Sequence, residues 1–376
     1  MAVEALILSC STGGGHNSAA RAVSDELLKR GHNAVMLDPY TLDPTWKAAH
    51  VGSFYVFTAK CFPHIFGAVY HIGMRLCRLP IRSPMYFASR KAAKKLGEYL
   101  KSNEYDVIAM THFYAAEMLT YLKRKGYDLP PTVFIGTDYT CTPFTMETDC
   151  DKYVIPAEDL CGEYIKQGAT REQLLPYGIP VSRVFEPKET DIAALRGQLG
   201  LHPDKQCVLA MGGSMGAGNM KQLTAKLIRY GKENPDTQFV IICGTNEKLR
   251  RILTEKTAGD NSFTILGFTD RMHDYMAAAD IFITKPGGLS STEAAVSRVP
   301  IVHMSPIPGC ETKNIKYFAS HGMSLSLKKM KIEQALDKLK DREVCRSIVE
   351  SQRRNISSAA GRICDLLENI ANKKVS

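Results

Sequence analysis

The 376-residue sequence has no apolar run approaching the roughly 18 residues that a membrane-spanning helix requires. A bilayer-crossing helix is therefore not expected. Its 11 cysteines form no CxxC pair and show no metal-ligand spacing. That argues against a zinc site or a disulfide scaffold and fits thiols held in a reducing compartment. There is no low-complexity tract and no repeat shorter than a domain. The first residues carry no basic region ahead of their short apolar run, and Glu4 interrupts that run, so a secretory leader is not expected. Acid is scarce in one place: between Arg75 and Lys101 eight basic residues face Glu98 alone.

What is present is ordinary for a globular chain, with 44% hydrophobic residues and a mean hydropathy of −0.16. The length suggests about two domains. A formal net charge of +9 suits anionic partners: phosphorylated substrates, nucleic acid or an acidic membrane surface.

The chain is organised around Ile281 to Asn314, IFITKPGGLSSTEAAVSRVPIVHMSPIPGCETKN. The apolar run Ile281–Thr284 reads as a buried strand, broken sharply by Pro286-Gly287-Gly288. Ser290, Ser291 and Thr292 are placed to cap a helix running through Glu293 and Val296. A strand, a glycine turn and a helix start form a place for an anion, because free N–H groups and the positive end of the dipole face it. Glu293, one turn in, is placed to accept hydrogen bonds from sugar hydroxyls. A second strand, Pro300–Met304, leads to a polar loop holding Glu311 and Asn314. Together these residues read as a nucleotide-sugar pocket.

The first half begins with a strand (Val3–Ser9), a glycine loop (Ser11 to His16, including Gly14 and Gly15) and a helix (Ser18–Arg30). A second strand, Asn33–Leu37, closes on Asp38. This is the opening of a Rossmann-like half. An NAD fingerprint is not favoured, because Ser18 holds its third position and His16 stands within the loop. A lone histidine is usually structural, but His16 follows three glycines where α/β sheets place ligands. With an ordinary pKa near 6.5 it is suited to take a proton from an alcohol. Strands at Asp106–Met110 and Thr132–Ile135 end in His112 and Asp138, which are secondary candidates.

From Phe54 to Lys101 aromatic and aliphatic residues stand beside the basic concentration. That combination fits a segment resting on an anionic membrane surface. The plainer alternative is a core helix with a solvated basic face. Nucleic acid is not favoured, because no recognisable binding motif accompanies the charge.

The second half restarts the pattern: strand Cys207–Met211, glycine loop Gly212–Asn219 with Gly213 and Ser214, then helix Met220–Tyr230. The glycine loop alone is a weak signal; paired with Gly287–Glu293 it makes a second wall around a pyrophosphate. The expected organisation is an N-terminal domain over 1–182, a linker over 183–204, a C-terminal domain over 205–340 and a helical tail over 341–376.

These residues carry a resemblance. STGGGHNSAARAV, GFTDRM, ITKPGGLSSTEA and PIPGCETKN resemble the monogalactosyldiacylglycerol synthase and processive diacylglycerol glucosyltransferase family. More distantly they are similar to the peptidoglycan lipid-intermediate N-acetylglucosaminyltransferase. The resemblance spans roughly Val3 to Ser326. It implies an α/β GT-B fold, two Rossmann-like domains facing across a cleft, with inverting hexose transfer from a UDP-sugar to a lipid hydroxyl, diacylglycerol foremost. It implies Phe268 against uracil, Gly288, Leu289 and Ser290 at the diphosphate, Glu293 at the ribose, and Glu311 and Asn314 at the sugar. His16 is implied as catalytic base or phosphate-proximal residue, with Asp138 a further catalytic candidate.

No cofactor or metal is implied, the UDP-sugar being a co-substrate. Asp149 and Asp151 have metal-binding Asp-x-Asp spacing, but in a predicted loop far from the donor motifs. The expected location is cytoplasmic, peripheral on the inner face of the cell membrane. The alternatives are a UDP-sugar 2-epimerase or hydrolase of the same architecture, or transfer to another acceptor. One departure stands out: Cys310 replaces the glutamine that usually precedes the sugar-facing glutamate, which leaves the donor sugar open.

Overall fold

A computed structural model describes residues 2–10, 14–42, 73, 82–216 and 218–375. The chain divides into two units: residues 1–182, 307–310 and 358–376 form the first, and residues 183–306 and 311–357 the second.

The first unit is a six-stranded sheet in the order β2-β1-β3-β4-β5-β6, all parallel. Its strands are β1 (Glu4–Leu8), β2 (Asn33–Leu37), β3 (Val107–Met110), β4 (Thr132–Ile135), β5 (Lys152–Val154) and β6 (Leu174–Leu175). In β3 and β4 every residue is buried, as the continuous apolar runs of a doubly covered parallel sheet require. Helix α1 (Gly14–Lys29) packs Ala20, Val23 and Leu27 against Ile7 and Val107. Helices α2 (Pro84–Ala88), α3 (Arg90–Lys101), α4 (Phe113–Arg124) and α5 (Cys161–Ile165) follow.

The second unit repeats the design with the order β12-β11-β10-β7-β8-β9. Its elements are α6 (Ile192–Gln198), β7 (Gln206–Met211), α7 (Met220–Glu233), β8 (Thr237–Ile242), α8 (Glu247–Lys256), β9 (Phe263–Leu266), α9 (Met272–Ala278), β10 (Ile281–Thr284), α10 (Gly288–Val296), β11 (Ile301–His303), α11 (Cys310–Ser320), β12 (Ser324–Ser326), α12 (Ile332–Lys338) and α13 (Arg342–Asn355). Val208, Phe239, Ile241 and Ile283 meet Leu227 and Leu336 in its core. The last helix, α14 (Ala360–Val375), returns to the first unit, where Ile363 and Leu367 join the core of Val23 and Leu27.

Several boundaries differ from the sequence-based expectation. Residues 183–204 are not a free linker: Leu195, Leu199 and Leu201 are buried, and the Arg196 guanidinium holds Asp280 at 2.8 Å and the carbonyls of Ala278, Pro203 and Lys205. The expected tail is divided, α13 lying with the second unit and α14 with the first. Their apolar stripes serve different cores, which helical periodicity alone does not distinguish. The polar loop expected around Glu311 and Asn314 is the first turns of α11.

Candidate active site

Sheet order decides where a site can form. In open parallel sheets ligands sit beyond the carboxyl ends of the strands, where neighbouring connections leave in opposite directions. The first unit has that point between β1 and β3, whose register pairs Leu8 with Met110. The second has it between β7 and β10, pairing Met211 with Thr284.

At the first point stands His16. It lies within the first turn of α1, which begins at Gly14, four residues earlier than its periodicity indicates. Gly14 and Gly15 therefore stand in the first turn of α1, whose N–H groups have no partner within the helix, rather than in a free loop. The Nδ1 of His16 is 2.8 Å from the Thr111 carbonyl oxygen and 3.1 Å from Thr137 Oγ1. A carbonyl only accepts, so Nδ1 carries the proton and the neutral ring keeps its lone pair on Nε2. Burial lowers the proton affinity of His16, opposed by the charge of Asp138 and by the Thr111 carbonyl. Thr111 is tied in twice more, donating from Oγ1 to the His16 carbonyl at 3.0 Å and to Ser9 Oγ at 3.2 Å. Ser9 in turn donates to Asn17 Oδ1 at 2.6 Å.

His112, at the end of β3, stacks edge-on against His16 with ring centroids 4.4 Å apart. Its Nδ1 accepts from the Tyr114 N–H and so caps α4. Burial, then the neighbouring His16, push its pKa well down, so the ring is neutral at physiological pH. Asp138 follows Thr137 beyond β4 and supplies negative charge to the same cluster.

At the second point, Gly287 caps α10 with no side-chain hydrogen bond, and the helix begins at Gly288. Gly288, Leu289 and Ser290 therefore carry the unbonded N–H groups of its first turn. The expected hydroxyl caps are instead inside the helix. Thr292 Oγ1 donates to the Gly288 carbonyl, and Ser291 Oγ lies 2.9 Å from His303 Nε2. His303, which no motif in the sequence signals, is fully buried, bonds Ser324 Oγ through Nδ1, and has its pKa pushed down to about 3 by burial. This neutral ring ties α10 to β11 and β12.

Glu293 has no hydrogen-bond or ion-pair partner among the described residues, and burial pushes its pKa up to about 8. It is an unmet acceptor one turn into the anion-facing helix. Lys285, just beyond β10, pairs with Glu311 at 2.8 Å. Its stem crosses the glycine loop: a Cβ on Gly213, whose φ is +77°, would lie 2.7 Å from Lys285 Cε. A side chain there would displace the lysine, and glycine alone takes that φ without strain. The loop is then pinned by the Thr245 N–H to the Ser214 carbonyl at 2.9 Å.

Asn314 is fully buried, and its Nδ2 donates to the Pro286 carbonyl at 3.0 Å. That bond braces the Lys285–Gly288 turn. Phe268 is 71% exposed on the loop after β9, an apolar ring open to a flat partner. Among the described residues no group of three or more His, Cys, Asp or Glu is arranged to hold a metal. Asp149 and Asp151 are instead engaged with Lys123 at 3.3 and 3.4 Å.

The expected membrane segment lies largely outside the described residues, which omit 43–72 and 74–81. From Pro84 onward, α3 (Arg90–Lys101) buries Ala92, Ala93, Leu96 and Gly97 and leaves its basic residues outward, an arrangement common to both readings of the segment. Among the described residues no helix is long and apolar enough to cross a membrane.

Two parallel-sheet units of this kind place the fold in the GT-B class. The fold is similar to that of MurG from Acinetobacter baumannii, with a TM-score of 0.64 at 18% identity over 97% of this chain and 99% of that one. It is also similar to MnaA from Staphylococcus aureus, solved with UDP, with a TM-score of 0.66 at 11% identity over 98% and 97%.

Sequence comparison goes further. Residues 16–181 match the monogalactosyldiacylglycerol (MGDG) synthase family, and residues 207–355 the glycosyltransferase family 28 C-terminal domain. The chain is a glycosyltransferase built from these two domains. It is 28% identical over 326 residues to a processive diacylglycerol beta-glucosyltransferase of Staphylococcus saprophyticus, covering 84% of this chain and 79% of that protein. It is 25% identical over 323 residues to the enzyme of the same name from Bacillus subtilis, covering 85% and 82%.

Proposed function

We propose that this enzyme transfers a hexose from a UDP-sugar to a hydroxyl of diacylglycerol, with inversion, at an anionic membrane surface. The observation that carries this is the joint occurrence of a base-ready His16 and an anion-ready α10 start. They occur in a chain aligned over four-fifths of its length with diacylglycerol beta-glucosyltransferases.

Each residue has a role in the scheme. Phe268 lies against the uracil and Glu293 accepts from the ribose hydroxyls. The N–H groups of Gly288, Leu289 and Ser290 meet the diphosphate, with the Gly213–Ser214 loop as the opposite wall. Glu311 takes the sugar hydroxyls. His16 Nε2 removes the proton of the acceptor hydroxyl, whose oxygen attacks the anomeric carbon. The bond from that carbon to the diphosphate oxygen breaks, and UDP leaves with the electron pair. Its charge is met by fixed N–H dipoles, so the scheme uses no metal. Asp138 favours the imidazolium that forms. Gly14 and Gly15 present their N–H groups beside the reacting hydroxyl.

Exposed Phe87 and the guanidinium groups of Arg82, Arg90 and Arg124, each 5.4–5.8 Å from the Tyr86 ring, support a surface that rests on anionic lipid. On this reading the enzyme works at the inner face of the cell membrane. A UDP-N-acetylglucosamine 2-epimerase shares the fold at a TM-score of 0.61, but at 11% identity it carries no activity across.

The test is UDP release from a panel of UDP-sugars, in chelator, with and without diacylglycerol in anionic vesicles. Lipid-dependent release from one donor is the expected result. Release indifferent to lipid would overturn the acceptor assignment in favour of hydrolysis or epimerisation.

A further inference from the structure

The function above leaves one charged group at the donor switch point without a role. Lys285 leaves the end of β10, lies across the glycine loop that follows β7, and immediately precedes the turn into α10. It is therefore the cation at the point where sheet topology directs a ligand. Its ammonium is held 2.8 Å from Glu311, the carboxylate assigned to the donor sugar, with both side chains largely buried, at 26% and 13% exposure. Gly213 makes this placement possible, since any side chain there would collide with the lysine stem. Asn314, one turn beyond Glu311 on α11, bonds the Pro286 carbonyl next to Lys285, so both ends of the pair are anchored to the same turn.

We infer that Lys285 and Glu311 form an exchange pair, in which an arriving UDP-sugar takes the ammonium to its diphosphate and frees the carboxylate for its sugar hydroxyls. A half-buried ion pair is a good store for both groups, because each is held in position until a better partner arrives. A diphosphate offers Lys285 more negative charge than Glu311 does. Sugar hydroxyls then replace the contact that Glu311 gives up. The two halves of the donor are thereby coupled. A nucleotide without sugar leaves that contact unreplaced, and a nucleoside without phosphates cannot break the pair. This inference rests on the donor-site assignment above and extends it.

The test compares binding of uridine, UDP and a hydrolysis-resistant UDP-sugar analogue to the full chain by calorimetry. In Lys285→Met, UDP affinity should fall about 10- to 100-fold, the scale of a lost charge-assisted hydrogen bond, while uridine affinity stays within about twofold. Lys285→Arg should restore most of the loss. In Glu311→Gln, the unpaired ammonium should bind UDP at least as tightly as the parent does, while the extra affinity contributed by the sugar disappears.

An unchanged ratio of UDP to uridine affinity in Lys285→Met would overturn the inference. So would a Glu311→Gln variant that loses UDP as Lys285→Met does, because the pair would then be a scaffold for the turn. Retained uridine binding shows that a variant is folded. Failure of the parent protein to bind either uridine or UDP would instead overturn the donor-site assignment itself.

Discussion

The Nδ1 of His16 stands 2.8 Å from the carbonyl oxygen of Thr111, a residue 95 positions away at the end of β3. That single contact selects the tautomer. With its proton committed to the carbonyl, the ring offers a lone pair only at Nε2, which is the arrangement a general base needs.

Replacing His16 by alanine should lower turnover about 10²- to 10⁴-fold, the usual contribution of a positioned base, and leave UDP affinity unchanged. Burial favours the neutral ring, so the acid limb of kcat/KM should fall below the ordinary 6.5. Unchanged turnover, or an acid limb displaced upward, would remove His16 from the base role.

The Glu293 carboxylate has no partner among the described residues, and burial pushes its pKa up to about 8. Ribose hydroxyls favour its charged form, so binding releases a proton and uridine affinity should rise from pH 7 to 9. Glu293→Gln should weaken uridine and UDP alike, by about 10-fold or more, and abolish that pH dependence. Titration of both ligands across this range provides the check.

Glu117, on α4, is fully buried with neither carboxyl oxygen hydrogen-bonded. Burial pushes its pKa up to about 8, helped by the charge of Glu147 and opposed by Arg124 and Arg82. Between its ordinary 4.5 and 8 the folded state holds a proton that the unfolded chain releases, so this group's contribution to stability falls as pH rises. Glu117→Gln should therefore be more stable than the parent at pH 8, by on the order of 1–3 kcal/mol. The difference should shrink towards pH 5. Denaturant unfolding at the two pH values measures it.

Arg30 clasps α14 to the first unit. Its guanidinium reaches Glu26 and Glu368 at 2.9 Å, Asp365 at 2.6 Å and the Gly361 carbonyl at 3.1 Å. Arg30→Met would remove all of these contacts together, including the ion pair of the almost wholly buried Glu26. Unfolding should become easier by about 2–4 kcal/mol, and amide exchange in α14 should accelerate. Exchange confined to other elements would show that the clasp is not what holds the helix.

Much of this protein could be read along the chain. The alternation of apolar runs, glycine turns and amphipathic stretches placed both Rossmann-like halves. The run from Ile281 to Glu293 marked the anion-facing helix, because its chemistry depends on consecutive backbone N–H groups. What tertiary structure alone decided is who stands beside whom. Strand order is set by packing over long separations, and apolar periodicity does not encode it. Only when β3 lies against β1 does Thr111 meet His16, and only when β10 lies against β7 does Lys285 cross Gly213. The same cause buried Asn314 against the Pro286 carbonyl, left His303 unsignalled, and returned α14 to the first unit. Local sequence specifies which groups can do chemistry; the folded sheet order specifies which of them share a site.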